Sequence, residues 1–203
     1  MLRVIAGELG GRRLRAPAGL GTRPTADRVR DALFNILGPP PDGAQVLDLY
    51  AGSGALGIEA LSRGADHALF VDSDARVCRQ IRDNLHSLGL ACRSTVCCGP
   101  VLSLLPQLAS KGRAPFSWVF ADPPYASEEP ARLLMQLARG PLLSDDAVLV
   151  FERAARDADA LAQAVEQPAL QSQLQLVDRR RYGDTALLFF SKVSLKAQPT
   201  EGP

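Results

Sequence analysis

The sequence predicts an α/β fold: a mostly parallel sheet with helices on both faces, an antiparallel closing hairpin, and a small N-terminal extension of β-hairpin and helix. Three observations carry that expectation. From Gln45 onward, short apolar runs alternate with helical periodicities, and parallel strands need crossover connections of that kind. The end of the chain differs, because residues 173–181 and 185–192 read as two strands joined around Gly183-Asp184. Composition agrees: 203 residues, 46% hydrophobic and 22% charged, suit one domain with a small appendage and a core of real size.

The elements follow in order. Residues 3–15 read as two short strands around Gly7, Gly10 and Gly11, a small basic arm. After a linker, Thr25 is placed to cap a helix, with Val29, Leu33, Ile36 and Leu37 at helical spacing and Gly38 followed by three prolines to stop it. Strands are expected near 45–50, 67–72, 92–97, 116–121 and 147–152. Helices are expected near 55–63, 74–88, 100–110, 127–139 and 157–167. The organisation that results is an extension over 1–40, a main domain over 41–192, and a flexible polar tail over 193–203.

Two stretches carry chemistry. The strand Val46-Leu47-Asp48-Leu49-Tyr50 runs into Ala51-Gly52-Ser53-Gly54-Ala55-Leu56-Gly57. Gly52 and Gly54 allow a sharp turn and close approach to a ligand, and the following helix offers free N–H groups at its start. Asp72, at the end of the next strand, suits the two hydroxyls of a ribose in a Rossmann-like sheet. Such a glycine loop also fits a dinucleotide. Asp48 tips the balance, because a carboxylate repels pyrophosphate and attracts the ammonium of a methionine moiety. Asp48 with Asp72 therefore favours S-adenosylmethionine over NAD.

The second stretch is Asp122-Pro123-Pro124-Tyr125, at the carboxyl end of the fourth strand, where open α/β sheets gather their ligands. Consecutive prolines fix φ and remove donors, leaving a stiff loop rich in acceptors. An exocyclic amine on a nucleobase is a poor nucleophile because its lone pair is conjugated with the ring. Asp122 and the Pro123 carbonyl can hold its hydrogens and stabilise the positive charge that grows on nitrogen, while Tyr125 stacks on the base.

Net charge is only +1, but residues 1–40 hold seven arginines against three acids, a local excess suited to a phosphate-rich partner. Arg12, Arg13, Arg23 and Arg28 are candidate phosphate contacts, with Arg3 and Arg30 beside them; Arg179-Arg180-Arg181 is a second charge run that reads as ordinary surface. Cys78, Cys92, Cys97 and Cys98 show no C-x-x-C spacing, so no metal site is expected. No apolar run approaches the roughly 18–20 residues that span a bilayer, and without a signal peptide the expectation is a cytoplasmic protein with reduced thiols.

Taken together, Thr22-Arg23-Pro24-Thr25-Ala26-Asp27-Arg28-Val29-Arg30, Leu33-Phe34-Asn35, Asp48 to Gly57, Asp122 to Tyr125, Val4-Ile5-Ala6-Gly7 and Arg181-Tyr182-Gly183 resemble the bacterial 16S rRNA guanine-N2 methyltransferases of the RsmD type. The resemblance covers about residues 2–191. It implies a Rossmann-like class I methyltransferase that uses S-adenosylmethionine to methylate N2 of one guanine in small-subunit rRNA, free or in an assembly particle. Asp48, Gly52, Gly54 and Asp72 would then serve the cofactor, and Asp122 and Tyr125 the base. We expect a monomer. One departure stands out: many relatives have an Asp after the third strand that contacts the adenine amine, and here the stretch is Cys97-Cys98-Gly99-Pro100.

Other functions fit less of the chain. Adenine-N6 DNA enzymes share Asp-Pro-Pro-Tyr but need a target-recognition domain for which 203 residues leave no room. Glutamine-N5 protein enzymes usually carry Asn at the place of Asp122. An NAD-dependent oxidoreductase leaves Asp48 and the proline loop without purpose, and a non-catalytic RNA-binding module has no need of an intact glycine loop.

Overall fold

A computed structural model describes residues 2–16, 24–110, 115–123, 129–166 and 168–193. The elements are α1 (Pro24–Leu37), β1 (Gln45–Leu49), α2 (Ala55–Ser62), β2 (His67–Asp72), α3 (Ala75–Ser87), β3 (Ser94–Cys98), α4 (Val101–Ser110), β4 (Phe116–Ala121), α5 (Glu129–Arg139), β5 (Leu143–Ala154), α6 (Ala158–Val165), α7 (Pro168–Gln171), β6 (Leu174–Tyr182) and β7 (Thr185–Lys192). They build a seven-stranded sheet in the order β3-β2-β1-β4-β5-β7-β6. The first five strands are parallel, and β7 enters antiparallel between β5 and β6.

Side chains alternate across the sheet with period two, and that sorts the core into two layers. Leu47, Leu69, Val119 and Phe151 pack against α4, α5 and α6. Val46, Phe70, Phe120 and Val150 face α1, α2 and α3. The same alternation puts Asp48 on the second face, two residues beyond Val46. The strand order changes direction at β1 and β4, which places the carboxyl ends of both beside the crevice where such sheets bind ligands.

Two sequence expectations need correction, and one element escaped. The helix α1 starts at Pro24, so Thr25 lies in its first turn and does not cap it; proline suits that first position because it has no N–H to leave unpaired. The strand β5 begins at Leu143, several residues early, because Leu143 pairs with Phe116 before the register slips to Trp118 opposite Val148. Its lead-in carries exposed Asp145 and Asp146, which hide the strand from a hydrophobicity pattern. The short helix α7 has too few residues to show a period.

The N-terminal arm closes by Val4 N–H to Arg12 C=O and Leu14 N–H to Leu2 C=O, both 2.9 Å. It lies on α2. Glu59, fully buried, accepts the N–H groups of Ile5 and Ala6 at 2.7 and 2.9 Å and pairs with Arg63 at 2.9 Å and Arg30 at 3.8 Å. Ser62 accepts from Leu9 N–H and donates to Ala6 C=O. Gly7, at φ +80°, sits so close that a Cβ there would be 1.9 Å from the Ser62 carbonyl oxygen. Arg30, expected on a basic surface, is buried and also bonds Asp27 and the Arg3 carbonyl. It belongs to the fold.

Removing the Glu59 carboxylate leaves two N–H donors without their acceptor and takes a partner from the buried Arg30 and the partly buried Arg63. Glu59→Ala should therefore lower the free energy of unfolding in urea by about 3–5 kcal/mol, the cost of breaking a buried ion pair from one side. A loss below about 1 kcal/mol, the scale of an ordinary surface pair, would mean that the arm is held by its apolar contacts alone.

Candidate active site

The turn after β1 is built on unusual backbone. Tyr50, Gly52 and Gly54 all have positive φ, at 56°, 54° and 75°. Only glycine adopts such values without cost, so Tyr50 needs support, and its hydroxyl donates to Glu129 at 2.6 Å. Around Gly52 the nearest atom to an added Cβ is 3.9 Å away: the turn opens on space and not on protein. Gly54 is different, with Ile81 at 3.3 Å, and Gly57 is tighter still. A Cβ at Gly57 would meet the Phe70 ring at 2.4 Å, so the third glycine lets α2 lie close on β2.

Asp48 is 2% exposed and accepts the Gly57 N–H at 2.9 Å. Burial pushes its carboxyl up to about 8, with the Asp72 and Asp122 charges adding to the rise against the pull of the Gly57 hydrogen bond. Asp72 at the end of β2 accepts from Gly52 N–H at 3.0 Å through one oxygen and from Asp74 N–H at 2.9 Å through the other. Each oxygen keeps a further lone pair. Across the sheet from Asp72 lies Cys98, so the Cys97–Pro100 stretch does sit at the end of β3, with no acid in it.

Asp122 follows β4 directly. The register Asp48 opposite Phe120, and Ala121 opposite Phe151, puts Asp122 one step beyond Asp48 on the same face, with Glu152 of β5 at its side. Asp122 keeps an exposed face, yet the protein crowding its other sides raises its carboxyl to about 6, against the pull of Arg153. Pro123 is buried, and its carbonyl accepts from Arg153 Nη1 at 3.0 Å.

A cavity of about 290 Å³ joins these parts. Asp48, Gly52, Asp122 and Glu152 line it, and Leu2 and Leu33 from the extension form its opposite wall. Asn84, buried on α3, bonds both Arg15 of the arm and the Ser53 carbonyl, so the arm and the glycine turn share one anchor. Of the candidate arginines, Arg12, Arg13 and Arg28 are exposed, and Arg28 with Arg3 lines a second cavity of about 330 Å³ beside α1. Arg23, Pro124 and Tyr125 lie outside the described residues. The run at 179–181 is largely neutralised: Arg179 pairs with Asp159 and Arg180 with Asp178. Among the described residues no group of three or more His, Cys, Asp or Glu could hold a metal ion, and no helix is long and apolar enough to cross a membrane.

Comparison with known proteins matches residues 2–191 to the family described as conserved hypothetical protein 95. The chain is also similar to the putative rRNA methyltransferase YlbH of Bacillus subtilis (strain 168), 37% identical across 94% of this chain and 99% of the relative. The ribosomal RNA small subunit methyltransferase D of Escherichia coli (strain K12) is 41% identical across 74% of each. The chain belongs to this RsmD-like family. Its fold is also that of a family structure, a putative methyltransferase, yhhF, from Escherichia coli: TM-score 0.77, 34% identity, 94% of this chain and 97% of that one. The family match takes in the arm, the glycine turn and the proline loop together.

The sequence reading missed Glu59, Asn84, Glu152 and Arg153. A signal existed for two of them. Glu152-Arg153 ends the apolar run Ala147–Phe151, and a charged pair at the carboxyl end of a central strand is the same cue that singled out Asp122.

Asp48 also loads the fold with strain. Its folded carboxyl is raised, so the folded state holds the proton longer than the unfolded chain. Stability from this group is then lost as pH rises from about 4 to about 8 and stays lost above that. Asp48→Asn keeps an oxygen for the Gly57 N–H and removes the charge. At pH 8 it should stabilise the free protein by about 1–2 kcal/mol, the usual gain when a functional strain is relieved, with the gain vanishing near pH 4. A destabilised variant at pH 8 would show that the ionised carboxylate supports the fold.

Proposed function

We propose that the chain methylates the exocyclic N2 of a guanine in 16S rRNA with S-adenosylmethionine as methyl donor. The observation that carries this reading is that Asp48 of the glycine turn and Asp122 of the proline loop open on one cavity. Membership of the RsmD-like family supports small-subunit rRNA methylation; the chemistry of the site supports an amine as acceptor.

The residues present fit the cofactor. Asp48 offers a buried carboxylate to the ammonium of the methionine part, and ligand charge would offset the burial that now raises its pKa. The open space at Gly52 admits a ligand against the backbone, and Asp72 has lone pairs left for ribose hydroxyls. With no acid in Cys97–Pro100, backbone groups there are left to meet the adenine amine. When bound, S-adenosylmethionine supplies an electrophilic methyl group, whose bond to sulfur breaks as the bond to nitrogen forms.

Asp122 accepts one hydrogen of the base amine. The Pro123 carbonyl, steadied by Arg153, has a second lone pair for the other. Both oxygens then face the positive charge that develops on nitrogen, without reorganising. Asp122 is ionised at neutral pH, since its carboxyl stands at about 6, and it can take the proton released after methylation. Tyr125 stacks on the base and holds it in line, worth about 1–3 kcal/mol.

The RNA is held by the extension over residues 1–40 against the domain over 41–192; residues 194–203 of the expected tail lie outside the described residues. Exposed Arg12, Arg13 and Arg28, with Arg23, meet phosphates as planar forks. Leu2 of the arm and Leu33 of α1 line the Asp122 cavity, which supports an RNA held by these elements reaching it. The reading further takes the protein to act as a monomer in the cytoplasm, and its chemistry calls on no metal.

Two measurements test the reading. Asp122→Ala should cut the single-turnover methylation rate by about a hundredfold or more while calorimetry finds S-adenosylmethionine affinity nearly intact; a rate close to that of the unchanged protein would exclude Asp122 from the chemistry. Replacing Arg12, Arg13 and Arg28 together with alanine should weaken RNA binding and reduce the log–log salt slope by about 0.7–0.9 for each phosphate no longer neutralised. If affinity and slope both survive, the RNA docks elsewhere.

A further inference from the structure

Glu152 is the third carboxylate of the cavity, and neither the cofactor nor the amine calls on it. Register places it beside Asp122 on the face shared with Asp48, whereas Arg153, one residue on, reaches the Pro123 carbonyl. The end of β5 thus forms the side wall of the place where the base is worked on. Glu152 is half-buried, and no hydrogen bond or ion pair among the described residues employs it. Burial and the Asp122 charge push its carboxyl up to about 7. A carboxylate held at this cost without a donor among the described residues, just after the apolar run Ala147–Phe151, points to a donor on the ligand.

The reacting amine narrows which donor. Guanine carries N1–H beside its N2 amine, so its edge presents two donors side by side. Adenine carries a bare N1 lone pair beside its amine. With the amine held at Asp122 and the N1 side of the ring turned toward β5, N1 falls next to Glu152. We infer that Glu152 selects guanine by accepting the N1–H hydrogen bond, and that it turns away bases whose ring nitrogen carries a lone pair at that place. This rests on the guanine-N2 reading above. It makes Glu152 a specificity-determining residue that touches the base, with Asp122 left as the group that acts on the amine.

The test uses the full chain and a small-subunit rRNA fragment containing the guanine it methylates, compared with the same RNA carrying 2-aminopurine there. That analogue keeps the 2-amine but lacks the N1–H and the 6-oxygen. The unchanged protein should favour guanine by about 10–100-fold in single-turnover rate, the discrimination a well-placed base contact provides. Glu152→Gln, whose amide can donate to a bare N1, should bring the two rates toward parity by slowing guanine and quickening 2-aminopurine. Glu152→Ala should slow guanine without quickening 2-aminopurine, and both variants should bind S-adenosylmethionine as the unchanged protein does. A Gln variant that keeps the full guanine preference, or variants that lose cofactor affinity, would overturn the role of Glu152 while leaving guanine methylation standing. Methylation by the unchanged protein at adenine, or at no base of this RNA, would overturn the guanine reading itself.

Discussion

Glu59 sits at zero exposure in the middle of α2 and gathers two backbone N–H groups from the arm, the guanidinium of Arg63 and that of Arg30. A buried carboxylate is tolerable only with such partners, and here the partners come from three separate parts of the chain. Because α2 springs directly from the glycine turn, whatever Glu59 holds is held in register with that turn. The arm and α1 thereby become a wall of the Asp48–Asp122 cavity and not a loose appendage. Ser62 and Asn84 repeat the device on either side, one closing the Gly7 bend and the other joining Arg15 to Ser53.

The cavity itself is electrostatically one-sided. Asp48, Asp122 and Glu152 share one face of three neighbouring strands, and all three carboxyls are raised by burial. Repulsion among them is a cost to the free protein that positive charge or N–H donors on a ligand relieve. An ammonium brings both, a sulfonium brings charge and a base amine brings N–H donors. A pyrophosphate brings neither. Arg12, Arg13 and Arg28, on the arm and α1, are exposed and do not line the cavity.

Much of this was legible in the sequence, for physical reasons. The strands β1, β2 and β4 are buried on both faces and read as apolar runs; the glycines at 52 and 54 mark positive φ; Asp48, Asp72 and Asp122 end strands where ligands gather. What escaped was whatever depends on partners distant in sequence. Arg30 looks like one more surface arginine until Glu59 and Asp27 are seen around it. Glu59 looks like an ordinary helix residue, although every neighbour from Gly57 to Ser62 is buried too. Glu152 becomes a site residue only once the β4–β5 register is known.

The anchors of the arm reach far along the chain: Ile5 to Glu59 spans 54 residues and Arg15 to Asn84 spans 69. Contacts of such separation form late, after the entropy of closing a long loop has been met. During synthesis, residues 2–16 emerge well before α2 and α3 exist to receive them. They leave the ribosome as a basic, unseated strand pair with Leu2, Val4 and Leu14 bare, three side chains that the finished protein buries. The arm is thus made before α2 and α3 yet settles only with them, and the cavity gains its Leu2 wall only after residue 84 has been made.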